Sequence, residues 1–318
     1  MTLKSDGTCV FLGGSSVDII LEMPHIPLPD EKVLAEFSGI QAGGLVANTA
    51  CAAARLGLKT AWAGVVGDDE AGSLVLSEFE RFGVDASHTR VLPGARSDFC
   101  VIMLDPSRER TILVVETTNN MPDLDQALLD MLAKARMVYL TPHNPQIFAV
   151  IEAAVHRGAG QLAIDVEAGL ALPPDEIDFC LSHSDIIFTN RSAVQRISGE
   201  EHLEAGARKW LAKGASLVVA TLGAAGAAVF SQAKTCFQPG YIVPVVDTTG
   251  AGDAFHAAFL FGILSGWTLD ETLVFSNAAA ALSVRKLGAR PGQPTYEDVN
   301  VFLATKPLLI THDVTGDF

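Results

Sequence analysis

Short uninterrupted apolar runs recur along the chain, and the stretches between several of them carry helical spacing. Cys9 to Leu12, Thr60 to Val65, Met137 to Leu140, Leu162 to Asp165, Ile186 to Thr189 and Ser216 to Thr221 read as buried strands. A helix follows Asn48 through Thr49 to Leu56 and stops at Gly57. The run Gly67-Asp68-Asp69-Glu70 caps another, with Val75, Phe79 and Phe82 on one face and Gly83 at its end. Asn144 caps a helix with Pro145 in its first position, reaching Arg157, and His202 to Ala212 is helical. After the turn Leu222 to Gly226, Ala227 to Phe230 pairs back. Further helices are expected at Ser276 to Lys286 and Glu297 to Ala304, either side of the turn Gly288 to Gly292, with a tail after Pro307. This βαβ alternation predicts one α/β domain over 1–318, a doubly wound and mostly parallel sheet flanked by helices.

Some segments do not fit that series. Met23 to Asp30 holds three prolines and cannot be helix interior. Lys32 to Ile40 reads as a strand outside the main sheet. Asp98 to Met103 and Glu109 to Val115 read as a hairpin joined by Asp105-Pro106-Ser107-Arg108. Together they predict a small β lid, inserted at about 17–41 and 97–118, that excludes water from a reaction site.

Three glycine turns mark the chemistry. Cys9 to Leu12 ends in Gly13-Gly14-Ser15-Ser16-Val17-Asp18, and Asp18 is either a hydroxyl acceptor or a turn-stabilising acid. Gln41-Ala42-Gly43-Gly44-Leu45-Val46-Ala47-Asn48 opens a helix, with the Asn48 amide in its first turn. The third is the most informative. Apolar Tyr241 to Val246 reads as a strand, then Asp247-Thr248-Thr249-Gly250-Ala251-Gly252-Asp253 turns into the apolar helix Ala254 to Leu264. Glycines before a helix N-terminus present N–H groups and the positive dipole end to an anion. An acid beside an anion site is out of place unless it takes a proton. Asp253 is therefore either a base in phosphoryl transfer to a hydroxyl or the capping Asp of an ordinary buried helix. Asp18, Asp165, Glu167, Asn190, Thr221, Gly223 and Asp253 all follow strands, the usual ligand edge of such a sheet.

Composition narrows the partners. Among 318 residues, 49 % are hydrophobic and 19 % charged, as in a folded and soluble chain. A formal net charge of −15 argues against nucleic acid and anionic membranes and favours small-molecule partners. Five scattered cysteines without C-x-x-C fit free thiols in a reducing cytoplasm. The segment Met1 to Asp6 lacks the apolar core of a signal peptide. Gly214 to Ala233 is uncharged and long enough to span a bilayer, but its glycines favour strand–turn–strand. The histidines show no metal-ligand spacing, and His256 reads as a satisfied interior residue. No G-x-x-x-x-G-K-[ST] loop and no protein-kinase motif set is present, and Phe255 stands where a dinucleotide fold needs its third glycine.

The run Asp247 to Phe255 resembles the C-terminal signature of the ribokinase-like (PfkB) carbohydrate kinases. Gly43-Gly44 through Asn48 to Arg55-Leu56-Gly57, then Gly64 to Gly67-Asp68-Asp69, resembles the N-terminal one. The resemblance implies MgATP-dependent transfer of the γ-phosphoryl group to a sugar hydroxyl. It implies Asp253 as base, and the N–H groups of Gly250, Ala251 and Gly252 as the anion hole. Asp18, Asp30, Gly43, Gly44 and Asn48 would contact the sugar. Asn190, Thr221, Gly223, Gly226 and Asn277 would line the ATP site. Asp247 and Thr249 would hold a monovalent cation such as K⁺, and family lids often pair in homodimers. The chain departs from the family at two places. The family's Asn-x-x-Glu is Asn190-Arg191-Ser192-Ala193 here, so Asp165 or Glu167 is expected to serve magnesium instead. Leu45 stands where ribokinases carry Lys and ketohexokinases Asn. Ser97 to Asn120 and Ile164 to Glu167 are similar to ketohexokinase-type and sulfofructose-kinase-type members, which implies a lean toward a ketohexose or related furanose beside the family's ribose. A nucleoside kinase, or a catalytically silent sugar- or nucleotide-binding protein, is the alternative.

Overall fold

The computed structural model describes residues 7–106, 110–118, 121–169, 172–305 and 307–310. In chain order the first elements are β1 (Cys9–Leu12), β2 (Ser16–Glu22), β3 (Glu36–Gly43), α1 (Leu45–Arg55), β4 (Thr60–Ala63), β5 (Val65–Gly67), α2 (Glu70–Phe82) and β6 (Arg90–Leu92). The middle holds β7 (Phe99–Leu104), β8 (Arg110–Val115), α3 (Gln126–Lys134), β9 (Met137–Leu140), α4 (Pro145–Arg157), β10 (Gln161–Val166), α5 (Pro174–Ser182), β11 (Ile186–Asn190) and α6 (Arg191–Ser198). The last part holds α7 (Leu203–Ala212), β12 (Leu217–Thr221), β13 (Gly226–Ser231), β14 (Thr235–Pro239), α8 (Ala251–Leu264), α9 (Leu269–Ser283) and α10 (Tyr296–Ala304).

Eight strands form the main sheet in the order β14-β13-β12-β11-β10-β9-β1-β4. The six from β12 to β4 are parallel, and β13 and β14 extend one edge antiparallel. Central strands are buried end to end, as runs covered on both faces must be. One core lies between the sheet and α1, α8 and α9, and includes Phe11, Trp62, Phe188 and Phe259. The other lies under α3, α4, α5 and α7, and includes Phe148, Leu181 and Trp210. A separate four-stranded sheet, β3-β2-β7-β8, is built from two distant parts of the chain.

Helix α8 is buried from Asp253 to Gly262, which explains its almost unbroken apolar sequence: it packs against both α1 and α9. Helix α9 begins earlier than its apolar run implies. A capping box between Thr268 and Glu271 starts it, so Asn277 sits mid-helix.

Several expectations need correction. Tyr241 to Val246 is not a strand. Only Tyr241 bridges, to Leu309, while the Ile242 N–H bonds to Leu308 O and the Val246 N–H to Val284 O. The chain tail and the end of α9 take these backbone groups, so no ladder forms. Thr60 to Val65 breaks at Gly64, whose missing side chain leaves room for the Trp62 ring and the Gly13 carbonyl. The outer strand lies at Glu36–Gly43 rather than Lys32 to Ile40, because Ser16 through Glu22 pairs with it. Strands β2, β6 and β14 and helices α3, α5 and α6 went unread. Helix α6 buries only Ala193 and Val194, too little for a periodic signal. Ser107, Arg108 and Glu109 of the expected hairpin connection, and the tail beyond 310, lie outside the described residues. No helix among the described residues is long and apolar enough to cross a membrane.

Candidate active site

The turn Asp247 to Gly250 delivers the chain to α8. Gly250 is its N-cap at φ 77°, and a Cβ there would lie 2.5 Å from Ala289 O, so only glycine fits. The Ala251 N–H bends back to Thr248 O at 3.3 Å, and a Cβ on Gly252 would meet nothing within 4 Å. The first turn of α8 thus faces open space with its backbone exposed to an incoming group.

That space is a cavity of about 430 Å³. Thr221, Gly223 and Gly226 line one side, Ala251, Gly252 and Phe255 the floor, and Asn277, Ala280, Ala281 and Val284 the other side. The segment from Gly240 to Val245 closes it. Asn190 stands beside it, paired in register with Thr221, and its Oδ1 caps α6 by accepting the Ala193 N–H at 2.9 Å. Asn277 Nδ2 donates to Gln238 O at 2.8 Å.

A tight polar cluster gathers around Asp18 and the Gly43-Gly44 turn. Asp18 on β2 sits opposite Gln41 of β3, and Ser16 Oγ donates to its carboxylate at 3.2 Å. A Cβ on Gly43 would collide with that carboxylate at 2.4 Å. Gly44, at φ 91°, would bring a Cβ within 2.7 Å of Ser15 Cα. Burial pushes the Asp18 carboxyl up, although Ser16 and Arg290 pull it back. Asp30 stands apart: it is exposed, at φ 65°, and lines neither cavity described here.

Asp253 directly follows Gly252 of the cavity lining, and its Oδ1 accepts from Thr49 Oγ1 of α1 at 3.4 Å. It is 9 % exposed, and burial pushes its carboxyl up to about 7 despite His256 and a hydrogen bond from the Asn48 side chain. Behind it, the Tyr139 hydroxyl donates to Asp165 Oδ2 at 2.8 Å and lies 3.0 Å from His256 Nδ1. Burial alone would lower the His256 pKa, but Asp165, Asp253 and Glu167 raise it instead. Burial also drives the Tyr139 phenol well above its ordinary value, with Asp165 and Asp253 adding to the shift. Asp165 is therefore held inward, whereas Glu167 is exposed to solvent with its carboxyl pushed up by its protein surroundings and by Asp165. Asp247 Oδ1 accepts from the Thr249 N–H and hydroxyl, and Oδ2 from the Gly288 N–H. A second cavity of about 20 Å³ runs from Asp18 and Gln41 to Asp247, Thr249 and Gly288.

Residues 8–296 match the pfkB family carbohydrate kinases. The chain belongs to this family. It is a phosphotransferase with an alcohol group as acceptor. A ribokinase of Haemophilus influenzae is 28 % identical over 305 residues, 93 % of this chain and 98 % of that one. A ribokinase of Arabidopsis thaliana is 30 % identical over 306 residues, 91 % of this chain and 79 % of that one. The structure of Arabidopsis thaliana ribokinase complexed with ribose and ATP aligns with a TM-score of 0.83 at 28 % identity, covering 94 % of this chain and 99 % of that chain. The ribokinase-like fold expected from the sequence is thus the fold observed.

Sequence reasoning missed Arg290, Gln293 and Tyr139 in this kinase site, and the Ala280, Ala281 and Val284 wall. The segment Gly288 to Gly292 read only as a turn. Its one signal was a charged residue set between Ala289 and Pro291 in a glycine-rich turn.

Proposed function

We propose that the protein is an ATP-dependent sugar kinase that phosphorylates a hydroxyl of ribose, a ketohexose or a related furanose, with Asp253 as general base. The carrying observation is the place of Asp253. A buried carboxyl pushed up to about 7 directly follows Gly252 of the large apolar cavity and accepts from Thr49 of the helix that the Gly43-Gly44 turn opens. ATP lies in the large cavity, its base against Ala280, Ala281 and Val284. Thr221, Gly223, Gly226, Asn190 and Asn277 flank it. Its γ-phosphate meets the backbone of Gly250, Ala251 and Gly252, a preorganised anion hole. Asp18 and Asn48 orient the acceptor. Asp253 takes the proton of the hydroxyl as its oxygen attacks phosphorus. The four-stranded sheet serves as the lid. The ribose and ATP bound by the Arabidopsis relative support the two-sided reading.

Magnesium neutralises phosphate charge and needs only one or two carboxylates besides the phosphates. Among the described residues no group of three or more His, Cys, Asp or Glu is placed to hold a metal unaided. Glu167 is the exposed member of the expected pair, and Asp165 backs it. A monovalent cation at Asp247 and Thr249 would draw on carbonyl oxygens of the turn, since the Asp247 carboxylate already accepts three donors. Apolar side chains exposed on the lid's edge strands, Phe37, Ile40, Leu113 and Val114, support a homodimer formed there.

ADP release with MgATP and a panel of sugars and nucleosides tests the reading. Turnover of a pentose or ketohexose is expected. Preference for a nucleoside would move the protein to the nucleoside-kinase branch, and ATP binding without turnover on any acceptor would overturn it.

A further inference from the structure

Arg290 is a buried cation without a carboxylate in direct contact among the described residues. It is 2 % exposed, and its guanidinium carbon lies 5.7 Å from the centre of the Phe79 ring. Burying an arginine without an ion-pair partner is costly, so what its nitrogens hold is informative. Nε donates to Asn48 Oδ1 at 2.9 Å, and one terminal nitrogen donates to Gly43 O at 3.1 Å. Gln293, three residues on, donates through Nε2 to Asn48 O at 3.0 Å. The same turn presents Ala289 O to Gly250. One segment thus touches the glycine turn of the acceptor pocket, its asparagine and the N-cap of the anion turn.

The donor arithmetic of these groups leaves one arrangement. Arginine has only donors, so Asn48 must offer it the amide oxygen. The Asn48 NH₂ is then turned away from Arg290, on the side of Asp253, whose pKa the Asn48 side chain lowers and whose Oδ1 accepts from the neighbouring Thr49 hydroxyl at 3.4 Å. Without Arg290 the two ends of the amide could exchange, and an oxygen facing the Asp253 carboxylate would repel it.

We propose that Arg290 is a positioning residue of the phosphoryl-transfer site, which by occupying Asn48 Oδ1 locks the Asn48 amide with its nitrogen toward Asp253 and the acceptor. This rests on the kinase reading only in naming Asp253 as the base. The Asn48 bond favours the ionised form of Asp253. Asp253 is also faced by Asp165 from β10, Glu167 just past its end, Tyr139 from β9, Thr49 and Cys51 from α1 and His256 on its own helix. None of these contacts Asn48 Oδ1 in the hydrogen-bond network, so their influence stays in place when Arg290 is changed.

The test is a carboxyl NMR titration of the [¹³C]Asp-labelled protein, with the Asp253 resonance assigned by its loss in Asp253→Asn. In Arg290→Met the Asp253 midpoint is expected to rise by about one pH unit. Arg290→Lys, which keeps the charge but not the fork, is expected to shift it the same way by less, and serves if the Met variant does not fold. Asn48→Ala is expected to reproduce the rise, and Arg290→Met added to Asn48→Ala to add nothing. An unmoved midpoint, or two additive shifts, overturns the proposal. In kinetics on the best acceptor of the panel, Arg290→Met is expected to lower kcat/KM on the order of ten- to a hundredfold. The acid limb should move up with the NMR midpoint, and the KM for ATP should hold. A midpoint that moves without the kinetic limb would leave the positioning role standing and remove Asp253 as base.

Discussion

The two parts of the proposed site are built on different principles. The proposed nucleotide side is a roomy cavity of about 430 Å³ walled by small and apolar residues, where glycines such as Gly223 and Gly252 face open space. The proposed acceptor side is tight and polar. Asp18, Asn48 and Arg290 are linked or adjacent, and Gly43 and Gly44 have no room for a methyl group. A wall of weak contacts distributes its energy over many atoms, so a single change there is tolerated. An interlocked polar cluster has few substitutes for any member. Changes in the polar cluster should therefore damage turnover, and changes in the apolar wall should move only the KM for ATP.

The most severe break is Asp253→Asn. Loss of a general base costs ~10²–10⁴-fold in kcat. Affinity for ATP, measured by titration calorimetry, should change little. In the wild type, kcat/KM should fall as pH drops below about 7, because only the ionised carboxylate accepts the proton. Near-normal kcat in the variant would remove Asp253 from the chemistry.

Gly44→Ala comes next. Its φ of 91° and the 2.7 Å approach to Ser15 force the turn to shift. A displacement on the order of 1 Å costs ~10²-fold in kcat/KM for the acceptor. If the KM for ATP rose in parallel, the two sides would not be separate. The counterpart on the other wall is Ala280→Leu, which fills part of the cavity. It should raise the KM for ATP about tenfold and leave that of the acceptor unchanged.

The same contrast governs what the sequence revealed. Gly43, Gly44, Asn48 and the run Asp247 to Asp253 were legible as turns opening helices because the signal is local: a turn, a helix start and a side chain within a few residues. The strands of the parallel sheet were legible because burial on both faces makes their sequence uniformly apolar. Arg290 was not, because its meaning lies in Asn48 and Gly43, more than two hundred residues earlier. The wall of Ala280, Ala281 and Val284 was hidden for the opposite reason: small apolar residues on a buried helix look the same whether they face a core or a cavity. Tyr241 to Val246 misled because apolar residues that line a cavity carry the pattern of a strand while their backbone pairs with the tail.

The last expected effect concerns stability rather than turnover. Asp253 has a folded-state pKa near 7 against an ordinary 3.8, so the folded chain holds that proton more tightly than the unfolded one. Its contribution to stability is then greatest at acid pH. It declines as pH rises from about 4 and is fully lost above about 7, a loss on the order of a few kcal/mol. A neutral amide in place of the Asp253 carboxyl would carry no charge to desolvate. By thermal unfolding, Asp253→Asn should therefore exceed the wild type in Tm by a few degrees at pH 8, with the gap narrowing toward pH 5. A gap of constant size across that range would mean that the carboxylate is not what the fold strains to hold. In that case the tightness of the acceptor side would have to come from the glycine turn and Arg290 alone.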